Sequence, residues 1–78
     1  MIEVTFFAAA REAAGTHTAH VSVTSVSDLR ARLIQDFGGR METVLDVSSL
    51  VSDGRRLQAG DPLADGAHVH VLPPFAGG

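Results

Sequence analysis

Residues 40–48 read Arg-Met-Glu-Thr-Val-Leu-Asp-Val-Ser, and they sit between a clear helix and a clear hairpin. Met41, Val44 and Leu45 fit either a short helix or an irregular crossing, and the pattern leaves both open. The difference bears on topology. A second full helix would admit a ferredoxin-like split βαβ arrangement, whereas a crossing would leave one helix lying on one sheet. To the N-terminal side, Ser25 stands three residues before Asp28 in the pattern of a helix cap. Leu29, Leu33, Ile34 and Phe37 then recur on one helical face, with Arg30, Arg32 and Asp36 elsewhere. Gly38 and Gly39 supply the stop. Such a helix is marginal alone in water, so its apolar stripe requires a sheet to cover.

The strands on either side provide that sheet. Ile2, Val4 and Phe6 alternate with Glu3, Thr5 and Phe7, the period of a half-buried strand over residues 2 to 7. Ala8 to Ala14 has the composition of a short helix, and Gly15 is placed to end it in a left-handed conformation. Ala19, Val21 and Val23 form a second alternating run, with His20 and Ser22 on its other face, and should pair antiparallel with the first. Beyond residue 48, Leu50, Val51, the Asp53-Gly54 pair and Leu57 predict a tight hairpin. Gly60, Pro62 and Asp65-Gly66 punctuate a loop. A last strand runs from Ala67 to Leu72, with Val69 and Val71 inward and His68, His70 and Leu72 on the opposite face; Pro73 and Pro74 stop it. Two strands, a main helix, short strands and a final strand make an α+β domain. The expected fold is a ubiquitin-like β-grasp, a mixed sheet with one main helix packed on one face. Residues 40–48 are a poor candidate for the second full helix of the competing arrangement. The domain should occupy residues 1–72, followed by an extended tail over 73–78.

A chain of 78 residues holds one small core. It has no cysteine, which excludes a disulfide framework, a zinc-cysteine site, a thiol nucleophile, an iron-sulfur cluster and a side-chain persulfide. The net charge is -3, and the six basic residues are arginines scattered along the chain, so no basic stripe offers itself to nucleic acid. Lysine is absent, which removes side-chain amines for Schiff-base chemistry or isopeptide branching. No apolar run exceeds Phe6 to Ala10 and no basic leader precedes Ile2, so neither a membrane span nor a signal peptide is expected and a cytoplasmic location is. His68 and His70, two apart on one strand face, could turn toward one metal, but without a third ligand in the pattern the expectation is a solvated pair and no metal site. Nothing resembles a nucleophile with its base, a phosphate loop or a carboxylate pair.

The segment Pro73-Pro74-Phe75-Ala76-Gly77-Gly78 carries the functional signal. Two prolines stiffen its base, and its last residues shrink to glycine, so it tapers to an unbranched thread. Six extended residues reach roughly 20 Å. That shape suits a carboxylate passed through a narrow channel into another protein's active site.

The run Phe6-Phe7-Ala8-Ala9-Ala10-Arg11-Glu12-Ala13-Ala14-Gly15 resembles the N-terminal signature of the small, sulfur-carrying subunit of molybdopterin synthase. Pro62-Leu63-Ala64-Asp65-Gly66 is similar to that family's Pro-Leu-x-Asp-Gly loop, and residues 73–78 to its Pro-Pro-x-x-Gly-Gly end. Ala10 stands where the family often has leucine, and Ala67 and His68 stand where acidic residues often follow the loop. The resemblance implies a carrier that performs no catalysis itself and binds no cofactor. An E1-like activating enzyme, using ATP and magnesium, adenylates the Gly78 carboxylate, and sulfur then displaces AMP to leave a thiocarboxylate. The tail enters the large catalytic subunit of a heterotetrameric synthase, where sulfur passes to a pterin precursor. Expected partner-binding residues are Phe7, Arg11, Leu72, Pro73, Pro74, Phe75, Ala76 and Gly77, with Gly78 as the reacting group.

Two of these residues carry alternatives. Arg11 and Glu12 either anchor a partner or pair and cap locally. Phe7 either forms an exposed docking patch near Leu72 and Phe75 or packs under the Ala8–Ala14 turn. Arg55 and Arg56 are expected to be solvated. Two other functions fit the same chain: a sulfur carrier for thiamin, cysteine or tRNA thiolation, and a ubiquitin-like protein modifier or binding module.

Overall fold

A computed structural model describes residues 1–74. The chain forms β1 (Ile2–Phe6), α1 (Ala8–Ala14), β2 (Thr18–Val21), α2 (Val26–Phe37), α3 (Gly39–Val47), β3 (Ser49–Ser52), β4 (Arg55–Arg56) and β5 (His68–Leu72). The strands make one five-stranded sheet in the order β2-β1-β5-β3-β4. β1 runs parallel to β5, and the remaining pairs are antiparallel. This is the mixed sheet of a ubiquitin-like β-grasp, with the first and last strands side by side at its centre.

The alternation along β1 and β5 sorts their side chains cleanly. Ile2, Val4, Phe6, Val69 and Val71 are buried beneath the helices. Leu29 and Leu33 of α2 close over them, and the Phe37 ring stands edge-on to Phe6 at 5.5 Å between centroids. α2 starts as its sequence dictates: the Ser25 hydroxyl accepts the Asp28 backbone N–H at 3.1 Å. The loop before β5 is tied to that same end, with Val26 N–H donating to the Asp61 carbonyl at 3.0 Å and Leu63 N–H to the Thr24 carbonyl at 2.9 Å. These bonds seat Leu63 in the core.

Of the two readings left open for residues 40–48, the structure has the short helix: 40–47 belong to α3, which begins at Gly39, buries Met41 and Leu45, and is capped by Ser48. The two glycines therefore divide their work: Gly38, at φ 86°, ends α2, while Gly39 opens α3. α3 packs against α1 and α2. The split βαβ arrangement still does not arise, because α3 follows α2 with no strand between them and β5 returns beside β1. Smaller differences lie at strand ends. β1 stops at Phe6, leaving Phe7 as the residue before α1, and β5 starts at His68. The β3–β4 hairpin turns through Asp53 and Gly54, both at positive φ (51° and 73°), as the Asp-Gly pair predicts.

Candidate functional site

The sheet face turned away from the helices is open, and register decides which of its side chains meet. Glu3 pairs with His20 on β2 and with His68 on β5, so these three form one row across three strands. In the next row Thr5 pairs with Thr18 and with His70, His70 with Val51, and Val51 with Arg56. The Glu3 carboxylate lies 3.5 Å from His20 Nε2 and 3.7 Å from His68 Nδ1. Thr5 Oγ1 and His68 Nε2 share a 2.6 Å hydrogen bond, and the Ser52 hydroxyl donates to the His68 carbonyl at 2.7 Å. The His68 and His70 rings stand edge to face with centroids 4.5 Å apart. Among the described residues, no three His, Asp or Glu side chains are grouped so as to hold a metal ion.

Phe7 adjoins this face at the end from which the tail leaves. Its backbone N–H donates to the Val71 carbonyl at 3.3 Å, which places it beside the last turn of strand before Leu72. Its ring is 40% exposed and tilts against His70, with centroids 5.5 Å apart. Phe7 is thus exposed rather than packed under α1, whose own buried residue is Ala10. A tight corner sets the ring there, since Ala8 has φ 50°, an unusual value for a residue with a Cβ. Leu72 and Pro73 are half-buried, and Pro74 is exposed. The remaining expected site residues, Phe75, Ala76, Gly77 and Gly78, lie outside the described residues.

Arg11 belongs to a different part of the surface. It lines an open cleft of about 420 Å³ with Ala8, Glu12, Gly15, Thr16 and His17, and the lining includes neither Phe7 nor Leu72. No ion pair joins Arg11 to Glu12 among the described residues. Arg11 stands in the last turn of α1, and its carbonyl accepts the Gly15 backbone N–H. Reading the sequence alone missed Glu3, Thr5 and His20. Alternation puts each on an outward face, but only the strand order brings them together around His68.

The ThiS family matches this chain over residues 4–78. The chain belongs to that family of ubiquitin-like sulfur carriers. Solved structures agree in fold. SAMP1 from Haloferax volcanii is 25% identical with a TM-score of 0.86, covering 99% of this chain and 98% of that one. The HVO 2177 protein of the same organism is 28% identical at a TM-score of 0.77, covering 99% and 85%. A chain in the complex of subunits 1 and 2 of the molybdopterin-converting factor from Helicobacter pylori is 24% identical at 0.75, covering 99% and 97%. No curated protein matches the chain. Among the described residues no helix is long and apolar enough to cross a membrane.

Proposed function

We propose that this ThiS-family chain carries sulfur for molybdopterin assembly. The observation that carries the proposal is the pairing of two motifs: the Phe6-to-Gly15 segment, and a Pro73-Pro74 start to a Gly77-Gly78 tail that leaves β5 beside Phe7. The molybdopterin-converting factor complex of subunits 1 and 2 supports the pathway and a large-subunit partner.

In the proposed cycle the Gly78 carboxylate attacks the α-phosphorus of ATP on an E1-like activating enzyme, which holds the magnesium, and pyrophosphate leaves. The terminal sulfur of a persulfide on the donor then attacks the acyl carbon and AMP departs with the bonding electrons, leaving an acyl disulfide; a thiol of the activating machinery attacks the donor-side sulfur of that S–S bond, so that a thiocarboxylate leaves on Gly78 and a disulfide is left on the donor. The chain's own contribution is presentation. Glycine offers an unhindered carbonyl, the prolines keep the tail extended, and Phe7, Leu72, Pro73 and Pro74 give the partner a surface to grip while Phe75 to Gly78 enter its site. Arg11 lies outside that strip, in its own cleft, and would meet the activating enzyme or the synthase separately. The working assembly is a heterotetramer with the large subunit, in the cytoplasm.

Intact mass measured after incubation with ATP, magnesium, the activating enzyme and a persulfide donor tests this directly. The expected gain is one oxygen exchanged for sulfur, absent from a chain lacking Gly78. An unchanged mass with an enzyme competent on another carrier overturns the carrier role. The likeness to SAMP1 and to the structure described as small archaeal modifier protein 1 of H. volcanii favours a second reading in which the tail is conjugated to lysines of other proteins. Isopeptide-linked adducts in cell extracts without a thiocarboxylate would support it. Transfer to a thiazole, cysteine or tRNA substrate would keep the chemistry and change the pathway.

A further inference from the structure

The dipeptide Asp-Gly occurs at 53–54 and at 65–66. In this sequence the backbone nitrogen that follows aspartate reaches the side-chain carboxyl most easily, because glycine puts no Cβ in its path. Both pairs lie in exposed turns with the glycine at positive φ, 73° at Gly54 and 87° at Gly66. They differ in how the rest of the fold holds them. Gly66 N–H donates to the Met1 carbonyl at 3.0 Å, and Glu3 N–H donates to the Ala67 carbonyl at the same distance. The Asp65 carboxylate accepts from the Met1 ammonium. At this turn the nitrogen is occupied and the chain is tied to β1. Gly54 N–H, by contrast, donates to no acceptor among the described residues, and the Asp53 carboxylate has neither an ion pair nor a hydrogen bond among them. A Cβ built on Gly54 would meet no atom within 4 Å, so nothing crowds the turn.

We propose that Asp53 is a site of spontaneous isomerisation to isoaspartate in the folded protein, and that its ties to β1 protect Asp65. The Gly54 nitrogen attacks Cγ of the protonated Asp53 carboxyl, a C–N bond forms, and the hydroxyl leaves with the amide proton as water. Water then opens the five-membered ring. Breaking the Cγ–N bond restores aspartate, whereas breaking the bond from nitrogen to the α-carbonyl leaves isoaspartate, with the backbone routed through the side chain and a free α-carboxylate. No oxidant or reductant enters. Closing the ring turns the 53–54 peptide out of the hairpin, and the only strand pairs at risk are Val51 with Arg56 and Ser52 with Arg55. Residues 53–56 contribute nothing to the buried core, so the isomerised chain keeps its fold and loses the register of β4. An α-carboxylate within a chain marks isoaspartate and not aspartate. The enzyme class that would recognise the product is therefore a carboxyl methyltransferase that uses S-adenosylmethionine.

The test ages the full chain in warm, mildly acidic buffer, once folded and once in urea, and follows isoaspartate with time. Cleavage after arginine puts the two sites in separate peptides, 41–55 and 57–78. Methyl transfer from labelled S-adenosylmethionine by an isoaspartyl methyltransferase counts the product in each, and electron-transfer fragmentation assigns it to a residue. In the folded chain isoaspartate should accumulate at least about tenfold faster at 53 than at 65. In urea the two rates should come within about threefold of each other, because the bonds that protect Asp65 are gone. D53E should remove the signal from peptide 41–55, since glutamate would have to close a six-membered ring, and D65E should leave that signal unchanged. Thermal melts verify that the variants and the aged chain are folded. Equal rates at 53 and 65 in the folded chain, absence of product at 53 in the folded chain, or a signal in peptide 41–55 that survives D53E overturns the assignment.

Discussion

Ile2, Val4 and Phe6 point under the helices, while Glu3 and Thr5, the residues between them, point the other way. One strand thus serves two surfaces with different rules. On the covered side every contact is apolar and nothing can be trimmed without leaving a void. On the open side the contacts are hydrogen bonds and ring edges, each worth little to stability because water competes for it. The two sides also differ in what they can tell a partner. The covered side holds the sheet in shape, whereas the open side is free to carry charge and aromatic surface in a fixed register.

Adjacent phenylalanines provide the sharpest way to break that contrast. Phe6→Ala should cost about 3–5 kcal/mol of unfolding free energy, because the ring is buried against Phe37 and its loss leaves a cavity. A urea midpoint close to that of wild type would mean that the covered side is not packed as described. Phe7→Ala should leave stability within about 1 kcal/mol while lowering affinity for the large subunit about tenfold. If instead the melting temperature falls sharply and binding survives, the ring belongs to the core and not to the docking strip.

The hydrogen bond between Thr5 and His68 sharpens the account of the open side. A double-mutant cycle with Thr5→Val and His68→Ala should give a coupling of about 0.5–1 kcal/mol, read from chemical denaturation. A coupling of several kcal/mol would mark the row as structural. The smallest effect is expected at Ala8, whose φ of 50° favours glycine. Ala8→Gly relieves that conformation but adds freedom to the unfolded chain, so stability should rise by less than about 1 kcal/mol. A clear loss would show that the Ala8 methyl packs at the corner that holds Phe7.

The same contrast explains what could be read from the sequence. Strand alternation at Ile2–Phe6 and Val69–Val71, the Ser25 cap and the Asp53-Gly54 turn are local signals, and each element stands where its pattern puts it. α3 had only an ambiguous signal, since Met41, Val44 and Leu45 fit a short helix and a crossing alike. It begins on a glycine, leaves Val47 exposed and buries only Met41 and Leu45 fully, so its helicity is supplied by α1 and α2 rather than by its own residues. The candidate site divides likewise. Phe7, Leu72 and Pro73 follow from alternation and the stiff tail base. The row His20–Glu3–His68 and the reach to Arg56 required a strand order that joins residues far apart in the chain.

That strand order also governs how the molecule comes into being. β5 is the last strand in the chain, yet it lies between β1 and β3. Before residues 68–72 are available, the sheet exists only as two separate hairpins, β1 with β2 and β3 with β4, each marginal in water. Closing the sheet requires β5 to return to β1 across most of the chain, a long-range pairing of the kind that slows folding. A nascent or prematurely ended chain thus has no stable grasp and is left to proteolysis. Because the tail follows β5 directly, only a polypeptide synthesised nearly to its tail can become the folded object that an activating enzyme would grip.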